Sequence, residues 1–173
     1  MKKYVIVSDE KTGLCQVGVG TNTEFYKSIG MTEQNVEQSD VNGQWYLASK
    51  CPHLSDKEKL NKAQDKKHTE LKSVMTSKRQ ALTVAYDADT FDANEDAQAN
   101  MIVLLKSFDL GATSVSIRST TEQTHTFNKE HTQELSMLML QAVNNLYSKY
   151  WEYKDALYNC KTIEEVEAIS WSD

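Results

Sequence analysis

The stretch Lys57-Glu-Lys-Leu-Asn-Lys-Ala-Gln-Asp-Lys-Lys-His-Thr-Glu-Leu-Lys-Ser-Val-Met-Thr-Ser-Lys-Arg-Gln80 decides how the rest of the 173-residue chain is read. It holds neither Gly nor Pro and is filled with good helix formers, so helix is its local state. Its apolar residues are few: Leu60, Ala63, Leu71, Val74 and Met75, with Leu82 just beyond. Leu60, Leu71 and Leu82 recur at a spacing of eleven, and Ala63 and Val74 repeat that step. Such a period suits a nearly straight or slightly right-handed helical association. A helix this polar has too little apolar surface to sit on a monomeric core, which predicts a narrow seam against a sister copy. Leu60, Leu71, Val74 and Met75 are the residues expected to form it. The competing reading is a solvated helix held by one anchoring stripe.

Upstream, Tyr4-Val5-Ile6-Val7 and Cys15-Gln16-Val17-Gly18-Val19 flank a turn carrying Asp9 and Gly13, and the pair reads as a β-hairpin. Residues Thr23 to Gly30 read as one short helix, with Thr23 as N-cap and Gly30 just past its end. Asn42-Gly43 is a tight-turn dipeptide followed by the aromatic strand Trp45-Tyr46-Leu47. The only proline, Pro52, closes this part, and Ser55 with Glu58 forms a capping box that opens the long polar helix.

Downstream, Leu82–Tyr86 and Thr90-Phe91 surround Asp87-Ala88-Asp89 as a second hairpin. Asp92 and Asn94 offer N-caps for a helix from about Glu95 to Phe108, whose Ala97, Met101, Leu104, Leu105 and Phe108 share a face. Ser114–Arg118 and Gln123–Phe127 read as a third hairpin. Asn128 caps a helix from Lys129 to Asn159 whose Leu135, Leu138, Met139, Ala142, Leu146, Tyr150, Tyr153 and Leu157 give a face broad enough for a core. Thr162 with Glu165 is a capping box for a last short helix, and Trp171 is expected to fold back onto the helix before it.

The net charge of −6 argues against a nucleic-acid surface, which needs a basic patch. Acidic residues intersperse the lysines of 57–67, as on a solvated helix face. No window reaches the length of a membrane span, and no secretory leader is read after Met1-Lys2-Lys3. Three dispersed cysteines, Cys15, Cys51 and Cys160, fit reduced thiols in a protein made in the cytosol.

The candidate chemical constellations are weak. Asp87, Asp89 and Asp92 cluster, but they lack the glycine and distal glutamate of a calcium loop, and turn-forming and capping duties account for them. His125, His131 and Glu134 lie near one another without the His-Glu-x-x-His spacing of a zinc helix. Cys51-Pro52-His53 pairs a thiol with an imidazole but offers no third group. Gly13, Gly18 and Gly20 do not make a phosphate loop. No enzyme, cofactor or metal is expected. Tyr147, Tyr150, Trp151, Tyr153 and Tyr158 are aromatics with polar handles, suited to a core, a subunit interface or a sugar platform. Tyr147 and Trp151 lie beside the main stripe and are expected to join the oligomer interface.

The order of motifs over about 70–171 resembles a known family. It runs through a basic helix end, Ala81-Leu82-Thr83-Val84-Ala85-Tyr86, Phe91-Asp92-Ala93, and Ala97-Gln98-Ala99-Asn100-Met101. It closes with Asn159-Cys160-Lys161-Thr162-Ile163-Glu164-Glu165-Val166-Glu167-Ala168-Ile169-Ser170-Trp171. This is similar to a domain family of bacteriophage and prophage tail proteins associated with tail fibres. Two departures stand out: Asp89 where a turn glycine is common, and Ile117-Arg118 in place of a middle-strand tryptophan. The resemblance implies a part of the phage particle and transfers no catalytic residue.

The combined expectation is an α+β chain with a small β-rich module (1–52), a connecting helix (53–80) and an α+β domain (81–173). It is expected to be a structural or adaptor protein of a phage or prophage tail, made in the bacterial cytoplasm and carried in the particle. Its expected partners are its own copies, as a trimer before a dimer, together with other tail proteins and a host-surface glycan. A tail-fibre assembly chaperone and a carbohydrate-binding module are the alternatives.

Overall fold

The computed structural model describes residues 1–172. The fold is α+β, and the chain divides into two compact units at Lys59/Leu60.

In the first unit, β1 (Lys2–Asp9), β2 (Leu14–Val17), β3 (Thr32–Gln38) and β4 (Trp45–Leu47) close into a barrel in the order β1-β2-β4-β3, every pair antiparallel. The registers Val5↔Val17, Tyr4↔Glu33 and Val36↔Leu47 bring Val5, Cys15 and Val36 together at its centre. Val7, Val17, Trp45 and Leu47 pack around them. Alternation along β1 sends Val5 and Val7 inward and leaves Ile6 partly bare, as a period of two requires. Nothing in the sequence reading anticipated β3. Its Thr-Glu-Gln-Asn-Val-Glu-Gln carries one apolar residue, Val36, and only that residue is buried.

α1 (Thr23–Ser28) is capped one residue earlier than expected: the Asn22 side chain accepts the Phe25 N–H at 3.0 Å. Tyr26 lies so close over Gly18 that a Cβ there would come within 2.7 Å of the ring. Asn42-Gly43 lies within the longer connection 39–44 between β3 and β4 and not in a two-residue turn, and of the pair Gly43 alone is left-handed, at φ +72°.

α2 (Asp56–Gln80) opens with the expected capping box: Glu58 N–H donates to Ser55 Oγ at 3.3 Å, and Ser55 N–H to Glu58 Oε2 at 2.8 Å. From Leu60 onward the second unit adds the hairpin β5 (Thr83–Tyr86)/β6 (Asp89–Asp92), α3 (Glu95–Asp109) and the hairpin β7 (Val115–Arg118)/β8 (Thr124–Phe127). α4 (Lys129–Asn159) and α5 (Ile163–Ala168) complete it. Asn94, Asn128 and Thr162 cap α3, α4 and α5, the last as a full capping box.

The turn of the first of these hairpins corrects one expectation. The left-handed residues are Asp87 (φ +48°) and Ala88 (φ +62°), so Ala88, not Asp89, occupies a position suited to glycine. Asp89 has another task. Its carboxylate accepts from the Thr90 N–H at 2.8 Å, Thr121 Oγ1 at 3.0 and 3.1 Å, and His125 Nε2 at 2.9 Å. These bonds tie β6 to β8 and to the loop before it.

α4 is about 46 Å long at the usual helical rise, more than the two hairpins can cover. Its first half packs Leu135 and Met139 against Phe91, Ala93, Met101, Val115 and Phe127. Its second half packs Tyr150 and Leu157 against Leu71 of α2 and Val166 of α5, with Leu60, Ala63 and Met75 around them. The polar helix therefore has cover within its own chain. Leu71 is 3 % exposed, and its burial contributes about 1.5–3 kcal/mol. Polar groups reinforce the contact. Gln64, itself buried, donates to the Leu157 and Cys160 carbonyls at 3.1 and 3.4 Å. His68 bridges the Tyr150 and Tyr158 hydroxyls at 2.8 and 3.1 Å. Trp171 folds back as expected, with its ring 5.2 Å from that of Tyr153.

Candidate functional site

Seven-residue steps link Met137, Asn144, Trp151 and Tyr158 on α4, and Leu140 and Tyr147 share the step at an offset of three. On a helix these positions fall on one stripe, and it is not the stripe that carries Leu135, Met139, Val143, Leu146 and Tyr150 into the core. The result is a second apolar face. Met137 is 65 % exposed, Leu140 49 %, Trp151 56 % and Tyr158 45 %. A helix with its core face already satisfied gains nothing from further apolar residues in water, which makes this face the candidate contact surface.

Its two halves differ in shape. Along the first half runs a trough of about 840 Å³, floored by Met137, Leu138 and Leu140 and walled by Tyr86, Glu134 and the amides Gln133, Gln141, Asn144 and Asn145. The Tyr86 hydroxyl donates to Glu134, and that bond to a carboxylate pushes the phenol up to about 12. Tyr86 is thereby fixed as a neutral wall. Along the second half the rings of Tyr147 and Trp151 stand 5.9 Å apart as a tilted pair.

The expected interface residues divide accordingly. Leu60, Leu71 and Met75 are taken up inside the second unit, and Leu71 has no surface left to offer another chain. Val74 keeps 37 % of its surface, Tyr147 is half-buried and Trp151 is open. The eleven-residue spacing was a signal for packing onto α4. Met137 and Leu140 escape the sequence analysis because it takes only aromatic residues into the surface beside the core stripe of α4. Their seven-residue relation to Asn144 and Tyr147 was the available clue.

The remaining constellations have contacts within their own units. Hydrogen bonds from the Ser119 hydroxyl, the Thr90 N–H, His125 and Thr121 hold the Asp89 carboxyl well below the usual range. His131 packs edge-on to Tyr86 and Phe127. Burial pushes the Cys15 thiol up. The Cys51 thiol also lies above its ordinary value, through desolvation and the nearby Glu37 and Asp40, the opposite of what a nucleophile needs. Among the described residues, no helix is long and apolar enough to cross a membrane.

A family model for a domain of unknown function, DUF4376, matches residues 62–170, from the first turns of α2 through α5. No curated protein and no solved structure matches the chain.

Proposed function

We propose, from the premise that the chain belongs to the DUF4376 family, that it is a structural or adaptor protein of a bacteriophage or prophage tail, associated with the tail fibre. The observation that carries this reading is the second apolar face of α4, bare in a chain whose core is already complete. The motif order shared with tail-fibre-associated domains supplies the setting. In this reading the protein acts by contact, holding copies of itself and other tail proteins in place without turning over a substrate. It is made in the bacterial cytoplasm and leaves in the particle.

Mass spectrometry of purified particles tests the reading. The chain should be present in a fixed ratio to the fibre protein. Presence in infected cells together with absence from particles would replace it with the assembly-chaperone reading. A carbohydrate-binding role rests on one feature, the amides and Glu134 that wall an apolar trough. Retention on a glycan array, lost on Gln141→Ala, would favour it.

A further inference from the structure

We infer that the outer face of α4 is an isologous interface, on which a second copy of this chain packs its own α4 antiparallel to the first. The inference rests on the assembly reading above and names its partner. Three observations lead to it.

The first is spacing. Met137, Leu140, Asn144, Tyr147 and Trp151 alternate at steps of three and four, the pattern of a helix that packs along another helix. A globular core would not need it, since α4 meets its own core through other residues. Asn144 is the polar member in the middle, where a single amide among apolar seam positions fixes register.

The second is shape. The trough lies along 133–145 and the ring pair at 147–151, on either side of the helix midpoint. A two-fold axis across that midpoint lays the rings of each copy into the trough of the other. Both troughs are filled by one operation, which is what closure into a dimer demands. A parallel pair would set rings against rings and leave both troughs empty. Charge does not decide the direction, because Lys149 and Lys154 flank the rings together with Glu152 and Asp155. Shape does.

The third is area. Four side chains exposed by about half or more leave on the order of 500 Å² of apolar surface, near the most that a monomer leaves bare in one patch. With the polar residues that wall the trough, it approaches the ~800 Å² per partner of a standard interface. Trp151, exposed in the single chain and covered by such a contact, is the residue type that usually anchors an interface.

Sedimentation velocity on the full chain over a roughly hundredfold concentration range tests the interface. The wild type should shift from monomer to dimer. Trp151→Asp and Met137→Asp should each weaken the dimer by about thirtyfold or more, the effect of losing an anchor residue. Both side chains face solvent in the single chain, so circular dichroism and the melting temperature, read at a concentration where the wild type is monomeric, should stay unchanged. Leu110→Asp, at a bare residue beyond the end of α3, should leave the dimer intact. A photo-crosslinking benzoylphenylalanine at position 151 should couple to residues 133–145 of the second copy.

A wild type that stays monomeric, a trimer, a dimer indifferent to both substitutions, or crosslinks to 147–158 of the second copy would each overturn the inference. Particle mass spectrometry is independent of these results. A chain found in particles but monomeric in solution would sink the dimer alone. A dimer absent from particles would sink the tail role alone.

Discussion

Ala88 holds a left-handed conformation at φ +62° with a Cβ it would be better without, next to Asp87 at φ +48°. The left-handed region costs a non-glycine residue roughly 1–2 kcal/mol, while glycine gives back part of that in unfolded-chain entropy. Ala88→Gly should therefore stabilise the second unit by about 0.5–1 kcal/mol, read as a higher denaturant midpoint with an unchanged slope. Asp89, the next residue, works through charge. Its folded-state pKa lies below the unfolded value because Ser119, the Thr90 N–H, His125 and Thr121 hydrogen-bond the carboxylate. Its contribution is thus complete above the ordinary carboxylate range near ~4 and fades as the pH falls through that range toward the depressed value. Melting curves across a pH series should show Asp89→Asn less stable than wild type at neutral pH. The gap should narrow as the solution is acidified. A gap of constant size would mean that the carboxylate's charge contributes nothing.

At the scale of elements, the caps of α2 to α5 were readable, that of α1 was placed one residue late, and the partners were not readable. Ser55/Glu58, Asn94, Asn128 and Thr162/Glu165 each mark a helix start in the sequence and each forms. A cap is a local bond, settled within one turn. α2 shows the limit. Its apolar stripe was legible, but the stripe alone does not say whether α4 or a sister copy covers it, because both offer the same kind of helical surface. The choice was made by the length of α4, whose second half extends past the hairpins. β3 shows the converse: with Val36 as its single inward residue, it has almost no pattern to read, and pairing with β1 and β4 makes it a strand. The burial of Leu71 leads to a definite outcome. Leu71→Ala should destabilise the second unit by about 2–5 kcal/mol. Leu71→Asp should cost helical signal by circular dichroism. A folded Leu71→Asp monomer with wild-type stability would instead place that residue at a subunit interface.

The whole molecule consists of two units of unequal size, with the family match lying beyond the first. The α+β class was legible, since hairpin and helix signals alternate along the chain. The unit limit was not, because it falls inside α2, at Lys59/Leu60, where helix propensity is unbroken. The residues of the proposed interface all belong to the second unit. A chain beginning at Ser55, which keeps the capping box of α2, should therefore fold and self-associate as tightly as the full protein. Sedimentation of that shortened chain checks it, and loss of association would move the contact to the barrel.

The barrel bears on crowding. A sheet that ends in free strands displays a rim of unpaired N–H and C=O groups, an open template for zippering to any neighbour with the same rim. In the order β1-β2-β4-β3 each strand has a partner on both sides, so no rim is left. Barrels packed shoulder to shoulder at high local density would present side chains to one another, whereas the two-stranded sheets β5/β6 and β7/β8 keep open edges. For the barrel, geometry lowers the hazard of growing into amyloid-like stacks, with no need for guarding prolines or inward-turned charges.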